Sequence, residues 1–417
     1  MIKNLANTLW SGELKFSEKL RPLANLYAIS FALIFAAAFM PLLLSETFAN
    51  VGPGMGEQVS FQLIQDELTG LYERSKEGGY HEFFFGVVIL LCGALFARAL
   101  AGLRAYFLYR GPNGEKYPME EMYVWGMTNF FGLLGAVVLG VIAASIIFML
   151  GGDFTSSLNF VGDMGAYAHG LVGQYVPTIV ELPSWLAMLL IYLLGTFIHY
   201  WAHRWSHDFR AAWLLFHRIH HMPRVLSAHT TTAVFFTIPL LVFVVIPYNF
   251  AFAAATKLFS EQPLYIETAI IMSLMNMVDP WSHATALYKE AMNNRWLRTM
   301  GFVFNAGAWH AMHHAAELEY TGKRKANNTV NIGGGNLFCM WDIAFGTYVP
   351  PSKECPQPGL TGNPDLVMNP LRQALAGTVQ IAYELWHNKN WKDRFWILFG
   401  SSDWNPPITK DFALKQS

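Results

Sequence analysis

The chain has 417 residues, of which 53% are hydrophobic and only 14% charged. A soluble globular domain carries about 25% charged residues, so much of this surface is expected to face lipid. The formal net charge of −1 excludes nucleic-acid binding by phosphate neutralisation. The three cysteines, Cys92, Cys339 and Cys355, share no spacing that would make a disulfide framework or a thiolate metal site.

A membrane-spanning helix needs about 20 mostly apolar residues, because the hydrocarbon layer is about 30 Å thick and each residue rises about 1.5 Å. Leu26 to Leu44, Phe83 to Leu103 (charged only at Arg98), Phe130 to Gly152 and Ser184 to Trp201 meet that length. Ala233 to Thr256 is uncharged but contains Pro239 and Pro247, which predict a kink. Leu264 to Val278 is shorter and carries Glu267. These last two segments are expected to span as a hairpin or to lie as a shallow re-entrant pair. The first apolar run follows Lys3, Lys15, Lys19 and Arg21 and is longer than a cleavable signal requires, so it reads as a retained anchor.

With six spans and a cytoplasmic N-terminus, 25 Lys and Arg residues fall on the cytoplasmic side and 3 (Arg74, Lys76 and Lys257) on the other. The loop Gly151 to Pro183 has none. The positive-inside rule therefore predicts that both termini and every clustered histidine are cytoplasmic. The fold class expected is all-α: a polytopic membrane protein with 4–6 transmembrane helices and a cytoplasmic, histidine-rich helical cap. The chain divides into three regions: an N-terminal anchor region over 1–180, a catalytic region over 181–350 and a cytoplasmic tail over 351–417. The tail contains an amphipathic stretch from about Pro370 to Trp396.

Eleven of the 14 histidines lie between His199 and His314. His199, His203 and His207 recur at i, i+4, i+8, one stripe if the fourth span continues helically past Trp201. His217, His220 and His221 form HRIHH, and His310, His313 and His314 form HAMHH. The i, i+3, i+4 spacing predicts that each triplet sends three imidazoles to one side of a helix. His229 and His283 flank the fifth and sixth segments, and a hairpin there returns both to the same face. Imidazoles crowded together without metal would leave buried nitrogens unpaired, or repelling when protonated. Metal ligation is therefore the reading for both triplets and for His203 and His207. Nine donors exceed what one ion uses, so two ions with four or five imidazoles each is the expected division. No HExxH is present, which disfavours a zinc protease, and imidazole suits zinc, copper, iron and nickel alike.

The run YWAHRWSH (Tyr200 to His207), Trp213 followed by HRIHH, His283, HAMHH and WDIAFGTY (Trp341 to Tyr348) together resemble the fatty acid hydroxylase/sterol desaturase superfamily. The resemblance covers about Ile198 to Pro350, and the NPL at Asn369 and FGSSDWNPP further on are similar to bacterial members. It implies a membrane-embedded centre of two iron ions that uses O2 as co-substrate. The reaction implied is hydroxylation or desaturation of a lipid, a sterol or fatty acyl chain. The ligands implied are His203, His207, His217, His220, His221, His310, His313 and His314, with His283 matching the isolated histidine that completes the set. Hydroxylation is preferred to desaturation on the resemblance alone. The sequence departs from the family at Thr196, where an aspartate is common, at Ala306 to Trp309, where Thr-Pro-Ser usually stands, and at Ile332, where a tyrosine is usual.

His199 and His229 have no firm counterpart in the pattern. Asp342 is expected either to accept a ligand N–H or to serve as a cap, with Asn305, Glu317 and Asn331 as weaker candidates for support. Phe216, Phe235, Phe236, Phe304 and Trp309 are candidates to line an acyl or sterol cavity, or are simple packing. Each turnover requires two external electrons. The chain has neither an HPGG haem motif nor a GxGxxG fingerprint, so a separate donor is expected, a ferredoxin or a cytochrome b5 type protein with its reductase. The expected location is a bacterial inner membrane. Two rivals are a histidine-lined metal transporter, which should spread its imidazoles through the bilayer, and a membrane zinc hydrolase, which needs neither O2 nor reductant.

Overall fold

A computed structural model describes residues 18–27, 81–108, 119–131, 170–227, 246–262, 264–317, 330–333, 338–360 and 369–409, together with residues 29, 30, 33, 73, 76, 116 and 320. Among them the regular structure is helical, with no strand and two isolated bridges, Phe209 to Ser401 and Ala315 to Pro358. Most of the first and third apolar segments, Pro239, and His229, Phe235 and Phe236 lie outside the described residues.

Four long helices form the frame: α1 (His81–Leu108), α2 (Ser184–Asp208), α3 (Ile246–Phe259) and α4 (Tyr265–Ser282). Helix α2 runs 25 residues, about 37 Å at 1.5 Å per residue. Among the described residues it is the one helix long and apolar enough to cross a membrane by length and composition. Helix α4 extends the sixth apolar segment to 18 residues. Pro247 lies within α3.

These helices pack α4 on α1, α3 on α2 and α4 on α2. Small residues allow the close approaches. A Cβ at Gly86 would stand 2.9 Å from the Tyr265 carbonyl oxygen, and one at Gly93 would stand 2.6 Å from Ser273 Cβ. The Ser273 hydroxyl uses that proximity to donate to the Ile89 carbonyl at 3.1 Å. At Gly195 of α2 the ring of Phe252 on α3 occupies the space a side chain would need. Small residues of this kind let helices approach closely.

Beyond α2 the chain becomes short-stepped. Arg210–Ala212 leads into a π-helical turn, Trp213–His217, and then into Arg218–His221. After α4 come α5 (Tyr288–Asn293), α6 (Arg295–Phe304), α7 (Ala308–His313) and α8 (Cys339–Phe345). Asn294 caps α6, its side chain accepting from the backbone N–H of Trp296 and Leu297, and Asn305 closes it in the left-handed region at φ 47°. Gly307, at φ 59°, then turns the chain into α7, a conformation that favours glycine.

The amphipathic stretch near the C-terminus is two helices, α9 (Pro370–His387) and α10 (Trp391–Phe399). Asn369 and Asn390 cap them, accepting from the N–H of Arg372 and Lys392. Both pack onto the residues just after α2. Ser401 pairs with Phe209, and Arg210 N–H donates to the Gly400 carbonyl at 2.9 Å.

Candidate metal centre

Helix α2 continues without a break past Trp201 to Asp208, which places His203 and His207 one turn apart at its end. Around them the structure gathers all nine histidines expected as ligands, and it divides them in two. Ligand nitrogens of His203, His207, His217, His221 and His313 lie within 4.8 Å of one another, and so do those of His220, His283, His310 and His314. In the first group His217 is the hub: its Nε2 is 2.8 Å from that of His207 and 3.1 Å from those of His203 and His221. In the second, His310 Nε2 is 2.8 Å from His283 Nε2 and 3.1 Å from His314 Nε2, and His220 Nε2 reaches His283 Nε2 at 3.4 Å.

The expectation that each triplet points to one side is corrected here. HRIHH gives its i and i+4 members to the five-histidine group and its i+3 member, His220, to the other. HAMHH does the reverse, giving His310 and His314 to the four-histidine group and His313 to the five. Helical geometry explains the split, since consecutive residues are about 100° apart, so the i+3 and i+4 side chains diverge by that angle. The groups touch where the triplets cross, with the rings of His221 and His314 stacked at 4.3 Å and those of His310 and His313 stacked at 5.2 Å.

The electrostatics keep five of these rings neutral. Burial, and then the neighbouring imidazoles, hold His217, His221, His310 and His314 well below the usual histidine range. His313 is lowered to about 4, chiefly by burial. A neutral imidazole is the form that binds metal.

Tautomers are fixed from behind. His313 Nδ1–H donates to the Val330 carbonyl at 2.9 Å and His203 Nδ1–H to the Ile332 carbonyl at 2.5 Å. Each therefore keeps its Nε2 lone pair for the cluster, and His313 Nε2, though buried, has no hydrogen-bond partner among the described residues. An inward lone pair with nothing to bind, inside a shell of neutral nitrogen donors, is a fit for a cation.

Asp342 does not touch a ligand histidine as one reading of the sequence expected. It is fully buried and accepts from Asn305 Nδ2 (2.5 Å), Gly333 N–H (3.0 Å) and the Thr347 hydroxyl (2.6 Å). Burial pushes its carboxyl up to about 6, against those hydrogen bonds. What it holds is the 330–333 loop whose carbonyls orient His203 and His313. Asn331 completes the brace at φ 46°, its amide donating to the Trp309 and Val349 carbonyls and its oxygen accepting from Val349 N–H. A Cβ at Gly333 would stand 2.6 Å from Asp342 Oδ2, so only glycine fits. The change to Ile332 spares this device, because the contact uses its backbone. Thr196 accepts from the Trp341 indole N–H at 3.0 Å and donates to the Leu193 carbonyl.

His199 lies one turn before His203, with ring centroids 6.1 Å apart, and belongs to neither group. Phe216 and Trp309 are buried; Trp309 packs with Tyr288, Ala291 and Cys339, and Phe304 stacks on Phe338. Glu317 accepts from Gln357 N–H. Sequence reasoning did not find the Val330 and Ile332 carbonyls, which carry no side-chain signal, nor the fully buried pair Arg210 and Glu384 at 2.6 Å. An arginine between the two histidine motifs was the available sign of the latter.

A helical frame that converges imidazole nitrogens in two adjoining groups makes a histidine cluster able to hold metal. Comparison adds one finding: residues 188–347 match the protein-family model described as Fatty acid hydroxylase. All nine histidines fall within that stretch. No curated protein and no solved structure matches the chain.

Proposed function

We propose that this protein is an integral-membrane oxidoreductase that uses two iron ions and O2 to hydroxylate a lipid, a sterol or fatty acyl chain. The observation that carries the reading is the division of nine histidines into adjoining groups of five and four inside a stretch that matches the fatty acid hydroxylase model. In this reading His203, His207, His217, His221 and His313 hold one ion and His220, His283, His310 and His314 the other. Bound there, the ions would supply the two-electron activation of O2 that C–H oxidation requires. The chain's own residues do the rest: the 330–333 loop fixes the tautomers of His203 and His313, and close packing around the buried imidazoles keeps bulk water out. The balance is substrate C–H plus O2, two electrons and two protons giving C–OH and water. The electrons come from a separate donor, a ferredoxin or a cytochrome b5 type protein with its reductase.

The membrane location is supported by α2, whose last turns carry both His203 and His207 and the exposed Trp205, with the exposed Phe209 just beyond. Aromatic side chains favour the interface between lipid and water, which sets the centre at the level where a lipid tail enters sideways. We place both termini and the centre in the cytoplasm, with multiple spans in a bacterial inner membrane, on the distribution of Lys and Arg.

Comparative lipidomics of cells with and without the gene tests the function. The expected result is a lipid heavier by one oxygen, formed in air and absent without O2. A product lighter by two hydrogens would make the enzyme a desaturase. A product formed equally without O2 and reductant would overturn the oxygenase reading in favour of a hydrolase.

A further inference from the structure

Helix α9 lies outside the matched stretch, yet it meets the chain where the first histidine triplet is set. Gly377 packs directly onto backbone: a Cβ there would stand 1.7 Å from the Leu214 carbonyl oxygen and 2.6 Å from its carbon. Neither atom can yield by changing a rotamer. Two turns further along the same face, the fully buried Glu384 accepts from both terminal nitrogens of Arg210, at 2.6 and 2.8 Å.

The rest of the corner completes the grip. Glu384 also accepts from Gln380 Nε2 at 3.1 Å and from the Thr409 hydroxyl at 2.8 Å, and Arg210 Nε donates to the Trp404 carbonyl at 2.7 Å. Arg210 and Leu214 are one turn apart, as Gly377 and Glu384 are two. The helix therefore holds the segment at two points, which fixes its rotation as well as its position.

The segment so held is the π-turn Trp213–His217. Such turns insert one residue into an α-helix and recur at functional sites. Losing the insertion would swing the downstream residues by about 100°. The turn ends on His217, the hub of the five-histidine group.

We propose that α9 is a positioning element of the metal centre, with Gly377 and Glu384 as positioning residues that hold the π-turn and so keep His217 among its partners. The inference rests on the two-metal reading above. It assigns to the C-terminal region a part in metal binding that the family match does not include.

The test uses full-length protein, stripped of metal and titrated with Co2+ as an optical probe, in wild type, Gly377→Ala and Glu384→Gln. Wild type is expected to take up two Co2+. Each variant should keep its helical content by circular dichroism and bind one Co2+ as wild type does. The other should bind at least roughly tenfold more weakly, with shifted ligand-field bands, the scale seen when groups supporting metal ligands are removed. Glu384→Gln preserves the shape of the side chain and decides the matter if Gly377→Ala does not fold. Variants that titrate like wild type would overturn the proposal, and so would loss of both Co2+ together with helix in both variants. A wild type that fails to bind two Co2+ would instead overturn the two-metal reading itself, and this inference with it.

Discussion

Burial keeps five of the clustered histidines outside the candidate span neutral, and that has a pH consequence. In the unfolded chain these groups titrate near 6.5, whereas in the fold His217, His221, His310 and His314 are held well below that range and His313 is at about 4. Below pH 6.5 the unfolded state binds more protons, so the stability these groups contribute is fully present above 6.5 and is lost as the pH falls towards 4. The metal-free protein should show a melting temperature that drops across that window, and a flat profile from pH 7 to 5 would contradict the buried, neutral cluster. Asp342 acts one step removed, through the loop that turns carbonyls toward His203 and His313. Asp342→Asn keeps the volume but can no longer accept at both oxygens from Gly333, Asn305 and Thr347. Its metal affinity should fall by about 10 to 100-fold, measured by titration of the stripped protein. At this scale the convergence of the nine histidines was legible, because imidazole spacing survives in sequence. The tautomer-fixing partners were not, since they are main-chain carbonyls that any residue could supply, as Ile332 does.

Among the elements, the apolar runs located the long helices that the structure describes: α1 overlaps Phe83 to Leu103, α2 extends Ser184 to Trp201, and α4 extends Leu264 to Val278. Hydropathy sets where such helices lie but not how they pair. The pairing depends on single glycines, and nothing in a window average singles out Gly86 or Gly93. Gly93→Val should destabilise the α1 and α4 crossing by about 1–3 kcal/mol, the usual cost of overpacking, read as a lower unfolding midpoint in detergent. The same substitution at Gly173, where a Cβ would meet nothing within 4 Å, should have little effect. The split of the triplets was legible in principle, because i+3 and i+4 positions diverge on any helix. The π-turn was not, since no residue in WLLFH marks an inserted residue.

For the molecule as a whole, charge distribution is the argument for orientation, and the Lys- and Arg-free stretch Gly151 to Pro183 is its strongest part. A cysteine introduced there should react with a membrane-impermeant maleimide added outside intact cells, and labelling only from the cytoplasm would reverse the topology. Long-range ties matter at this scale too. Arg210 has 0% side-chain exposure and meets Glu384 174 residues later, with Trp404, Asn405 and Thr409 closing the same corner. A buried guanidinium left without its carboxylate costs about 3–5 kcal/mol. During synthesis the ribosome releases every histidine ligand well before it releases Glu384, so for that interval the nascent chain holds all its imidazoles but not the strut beneath them. If α9 positions the centre as proposed, assembly is completed only after translation has passed the last of these histidines, and a chain stalled before residue 384 would carry the whole binding motif with that corner still open.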